Sequence, residues 1–149
     1  MQKLTFSVDV SATQEKAFNT MIGPKTYPAW TSIFNPHSHF VGDWSQGSKI
    51  LFVGLDEQGN NAGMVARIAV NRPFEYISIE HCGILEGDSE ITGGDKVAQW
   101  AGAHENYTFT RVGDKTRIGV EVDMEESYTP FFQDTWPKAL AKLKTLCES

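Results

Sequence analysis

From residue 3 to residue 10 the chain alternates: Leu4, Phe6, Val8 and Val10 are apolar, and Thr5, Ser7 and Asp9 are polar. That period of two predicts a strand buried on one face. The pattern then changes. In "SATQEKAF", Ser11 or Thr13 can cap a helix whose apolar side is Ala17, Phe18, Met21 and Ile22, and Gly23-Pro24 stops it. A second short helix, about 24–34, would carry Tyr27, Trp30, Ile33 and Phe34 on a common face. From His39 onward the chain reads as about six strands separated by turns: "SKILFVGLD", "AGMVARIAV", "FEYISIEHCGIL" and a final hairpin, "HENYTFTRV" and "TRIGVEVDM" around a Gly-Asp turn. Between them "EGDSEITGGDKVAQWAGA" is low in apolar residues and reads as a long loop, in which Asp95 would cap a short helix carrying Val97 and Trp100.

The chain closes on a helix. At about 100° per residue, Phe132, Trp136, Ala139, Leu140, Leu143, Leu146 and Cys147 fall on one stripe, while Gln133, Pro137, Lys138 and Lys142 lie outside it. Thr129 is the expected N-cap and Pro130 the first helical residue. Pro137 on the polar side would bend the helix around whatever its apolar stripe covers. Hairpin connections make the sheet antiparallel, and its one exposed apolar face needs a cover. The terminal helix is the only element long enough. The expected fold is therefore α+β: a curved antiparallel sheet wrapped around a long C-terminal helix, with two short helices after the first strand, in a single domain, 1–149.

Composition narrows the partners. A net charge of −6 with scattered Lys and Arg argues against nucleic acid, whose binding depends on clustered cations. No apolar run approaches the roughly 20 residues of a membrane span, so membrane insertion is not expected. The alternating start does not read as a signal peptide, which points to a cytoplasmic location. Cys82 and Cys147 have no metal-binding or redox spacing and read as separate buried thiols.

Strand parity supplies the candidate chemistry. In "FEYISIEHC", Ile77 and Ile79 share a face with His81; in "HENYTF", Tyr107 and Phe109 share a face with Glu105. His81 and Glu105 would thus project among apolar residues. They could anchor a ligand head group, form a self-satisfied pair that fixes strand register, or act as an acid/base pair. Trp30, Phe34, Trp44, Phe52, Met64, Trp100, Phe132 and Trp136 are either core or the lining of a cavity; a core built for stability alone tends toward Leu, Ile and Val. His37 and His39, with Asp43 nearby, lack a clear third ligand, so they read as an exposed polar loop and no metal is expected. There is no G-x-S-x-G nucleophile motif, no phosphate-loop pattern and no sign of a cofactor.

"SATQEKAFNTMIGPKTYPAW", "GDWSQGSKILF", "RPFEYISIEH", "WAGAHENYTF" and "FFQDTWPKALAKLKTLCE", which together run along nearly the whole chain, resemble the SRPBCC superfamily of START-like, helix-grip proteins. Within it they are most similar to the branch named after activators of the heat-shock-protein-90 ATPase. The resemblance implies a deep cavity between helix and sheet that takes a small hydrophobic or amphipathic molecule, such as a lipid. On that fold, Trp30, Phe34, Trp44, Phe52, Met64, Ile79, His81, Trp100, Glu105, Tyr107, Phe109, Phe132, Trp136 and Leu140 are the expected ligand contacts. The branch name adds a rival, an interaction module with a heat-shock protein as partner in a stress response. A third reading is an enzyme of cyclase or hydrolase type. Fold alone does not choose among them.

Overall fold

The computed structural model describes residues 1–98 and 100–149, apart from the side chain of Lys96. The chain runs β1 (Gln2–Val10), α1 (Gln14–Ile22), α2 (Thr26–Thr31), β2 (His39–Gly42), β3 (Lys49–Leu55), β4 (Asn61–Arg72), β5 (Tyr76–Glu86), β6 (Ser89–Ile91), α3 (Asp95–Ala98), β7 (His104–Val112), β8 (Lys115–Met124) and α4 (Thr129–Cys147). The strands form one antiparallel sheet in the order β1-β8-β7-β5-β4-β3-β2, with β6 paired to β5 off that path. β1 therefore lies at an edge beside the last strand. Its alternation becomes burial: Leu4 faces Val122, Phe6 faces Val120 and Val8 faces Ile118, all on the inner side of the sheet.

That inner side is closed by α4. Trp136, Ala139, Leu140, Leu143 and Cys147 are buried and Phe132 and Leu146 half-buried, whereas Gln133, Pro137, Lys138 and Lys142 are exposed. Trp136 stacks on Phe6 of β1, with ring centroids 6.1 Å apart, and lies 5.8 Å from Trp30 of α2. The indole N–H of Trp30 donates to the Met21 carbonyl (2.9 Å), which ties α2 to α1. The chain thus has the helix-grip α+β fold: sheet, two short helices, and one long helix held against the concave face.

Several boundaries differ from the expected ones, each for a local reason. Of the two candidate caps of α1, Thr13 is used: its hydroxyl accepts from the Lys16 N–H at 3.0 Å. α2 ends at Thr31, so Ile33 is exposed and Phe34 lies beyond the helix, where its ring meets Trp136 at 5.0 Å. Thr129 does not cap α4. It is the first helical residue, and its hydroxyl donates to the Gln2 side chain (2.8 Å) after a 3-10 turn at Glu126–Tyr128. Asp95 likewise lies inside the first turn of α3, where the Gly94 carbonyl accepts from Val97 N–H. The supposed loop after residue 85 is partly strand: β5 continues to Glu86 and turns back as β6 through Gly87, whose φ is 60°. Backbone pairing needs no apolar side chains, so this hairpin left no periodic signal.

Gly63 shows how tightly β3 and β4 meet beside the cavity. Its φ is +154°, and a Cβ there would lie 1.8 Å from the Phe52 carbonyl oxygen. Gly63→Ala is expected to destabilise the protein by about 1–3 kcal/mol through strain and displaced backbone. Thermal unfolding followed by circular dichroism checks this; a wild-type midpoint would refute the close approach.

Candidate functional site

Three adjacent strands place the polar residues. In the β5–β7 register Ile79 faces Glu105 and Ile77 faces Tyr107, and in the β7–β8 register Glu105 faces Val122 and Tyr107 faces Val120. Side chains at paired positions lie on the same side of a sheet, so Glu105 and Tyr107 follow the buried isoleucines inward. Regular pairing of β5 with β7 stops at Glu80–His104; beyond it the His81 N–H donates to the Ala103 carbonyl (2.8 Å), which sets His81 at the same end.

The Tyr107 hydroxyl donates to Glu105 Oε2, and His81 Nε2 lies 3.4 Å from Glu105 Oε1, at the long end of the hydrogen-bonding range. The His81 and Glu105 side chains are 12% and 24% exposed. Tyr107 is buried, and burial, reinforced by the negative charge of Glu105, pushes its phenol well above the ordinary range. Tyr27 is raised by the same two causes in the same order. Both phenols therefore remain hydrogen-bond donors. His81 Nδ1 and Trp136 Nε1 are buried without a hydrogen-bond partner in the protein.

These groups border a cavity of about 550 Å³. Trp30, Phe34, Phe52, Met64, His81, Trp100, Glu105, Tyr107, Phe132 and Trp136 all line it. Four residues expected in its walls do not. Trp44 lies behind the wall, edge-on to Tyr27 and 5.7 Å from Phe52. Ile79 and Leu140 are fully packed core. Phe109 packs edge-on against Phe18 of α1. Ile79, Phe109 and Leu140 are on the inner face as strand parity and helix stripe require, but packed away from the cavity, and α4 contributes only Phe131, Phe132 and Trp136 to the walls, all from its N-terminal half.

The walls also include residues that the pattern did not single out as site residues: Tyr27, Thr31, Ser38, Ala103, His104, Val122, Asp123, Met124, Tyr128 and Phe131. Val122 and Tyr27 carried a signal, through inward parity and a shared helix face. The small and polar ones carried none. Tyr128 and Phe131 are about half exposed, and Trp100 stacks on Tyr128 with centroids 6.0 Å apart. Both cysteines are free; burial raises both thiols, Cys147 to about 11, so neither is an activated nucleophile. Among the described residues no cluster of three or more His, Cys, Asp or Glu is placed to hold a metal ion, and no helix is long and apolar enough to cross a membrane.

No family model matches the sequence, nor does any curated protein. Solved structures match it along its length. A crystal structure of a protein from Nitrosomonas europaea superposes with a TM-score of 0.73 at 12% identity, covering 97% of this chain and 92% of that one. The solution structure of the Aha1 dimer from Colwellia psychrerythraea gives 0.70 at 15%, covering 99% and 97%. CalU16 from Micromonospora echinospora gives 0.65 at 15%, covering 97% and 75%. At such identities the likeness establishes the shared helix-grip fold and nothing finer.

Proposed function

We propose that this protein binds a small hydrophobic or amphipathic molecule in the cavity between α4 and the sheet. The observation that carries the reading is the cavity itself. Its volume falls within the roughly 300–1,000 Å³ usual for small-molecule sites, its walls are mainly aromatic and aliphatic, and a few polar groups converge on one part of it. A side-chain core packed for stability alone leaves few voids larger than a water molecule. The ligand contacts on this reading are the ten wall residues singled out from the sequence.

A second reading has its own support. Tyr128 and Phe131 are 47% and 52% exposed beside the mouth, and one neighbour in fold is described as the Aha1 dimer. An interaction module of the heat-shock-protein-90 activator kind would use such a surface. The His81–Glu105 pair alone is a thin basis for catalysis, since no activated nucleophile stands beside it.

The test is tryptophan fluorescence with a library of flat and medium-chain apolar molecules, alongside native mass spectrometry of freshly purified protein for retained ligands. Trp136 borders the cavity at 3% exposure, so a saturable response at micromolar concentration, about −8 kcal/mol, is expected. Trp136→Phe should lose much of it. A folded, monodisperse wild type with no saturable response to any compound would defeat the ligand reading and leave the interaction module ahead.

A further inference from the structure

Because the walls are mostly apolar, their few polar atoms decide which head group a ligand can carry. Glu105 and Asp123 are the carboxylates in the walls, and among the described residues no Lys or Arg lines the cavity. Asp123 Oδ2 accepts from the His104 N–H at 3.0 Å. Glu105 takes one hydrogen bond on each oxygen, from Tyr107 and His81, and each oxygen can accept another. A carboxylate only accepts, so His81 Nε2 carries the hydrogen, and in the neutral ring Nδ1 is a bare acceptor. That acceptor, and the indole N–H of Trp136, have no partner in the protein. Around Glu105 the cavity therefore offers open acceptors on the carboxylate and on the neutral His81 ring, and a buried open donor at Trp136.

Head groups differ in how they meet this set. A ligand carboxylate would bring a second negative charge beside Glu105, with no Lys or Arg among the described wall residues to offset it, and it has no proton for the open acceptors. An alcohol or phenol carries no charge, and its single hydroxyl both donates and accepts. We propose that, resting on the ligand-binding reading above, the cavity selects hydrophobic alcohols or phenols and rejects carboxylates with the same apolar body.

Isothermal titration calorimetry of the full chain at neutral pH, with 1-decanol, decanoate and decylamine each kept below its aggregation concentration, tests this. Decanol should bind about tenfold or more tighter than decanoate, about 1.4 kcal/mol. Glu105→Gln keeps an acceptor but removes the charge, so it should narrow that ratio. Equal or tighter binding of decanoate to the wild type would overturn the proposal, as would decylamine binding tighter than decanol. If Glu105→Gln does not fold, the wild-type ratio still decides. Binding of none of the three, nor of any apolar compound, would instead defeat the ligand-binding reading itself.

Discussion

Leu140→Ala is expected to destabilise the protein by about 2–5 kcal/mol, whereas Lys142→Ala should shift stability by less than about 0.5 kcal/mol. Leu140 is 2% exposed inside the core cluster, so its truncation removes apolar contacts and leaves a hole that rigid neighbours fill only in part. Lys142 is two residues away on the outer face of the same helix, with only a 3.4 Å approach to the Ser32 hydroxyl. Urea unfolding monitored by circular dichroism measures both. Similar effects at the two positions would contradict the placement of α4 on the sheet. Because Leu140 lies outside the cavity walls, its variant should also bind ligand with wild-type affinity once the folded fraction is taken into account.

The fate of Leu140 illustrates what periodicity can tell. A stripe at 3.6 residues and an alternation at two identify the face a residue presents, and they placed Phe6, Glu105, Tyr107, Trp136 and Leu140 on the correct sides. They carry no information about how far apart two facing elements stand at each point along their length. α4 lies close to its neighbours from Ala139 to Cys147, where every stripe residue but Leu146 is fully buried, and borders open space only in its N-terminal half. So Phe132 and Trp136 are walls, and Leu140 is core.

Two further features needed the folded chain. The register of β4 against β5 shifts between Val65 and Ala66 and again between Ile68 and Val70, so the partners of these strands could not be counted from the turn between them. Part of the wall comes from single residues of a loop and a 3-10 turn, Ala103 and Tyr128, which follow no period at all. What the sequence did show was the pairing of inward polar with inward apolar residues on β5 and β7. His81 and Glu105 come together because two strands with legible parity are neighbours.

Ala103→Phe is expected to weaken binding of an apolar ligand by about 100-fold or more, about 2.7 kcal/mol, while leaving the melting temperature close to that of the wild type. Ala103 is 2% exposed and lines the cavity just before β7. Its carbonyl accepts from the His81 N–H at 2.8 Å, which holds its methyl group near the polar cluster. In a filled core an added ring would cost about 1–3 kcal/mol through overpacking. Here it can turn into unfilled space of about 550 Å³, so most of that cost is avoided and the ring takes up volume that a ligand would need. Differential scanning calorimetry and fluorescence titration together separate the two effects, and Leu140→Ala supplies the opposite pattern, with stability lost and binding kept. A folded Ala103→Phe protein that binds as the wild type does would show that the ligand sits away from His81 and Glu105, and the head-group selection argued from those residues would fall with it.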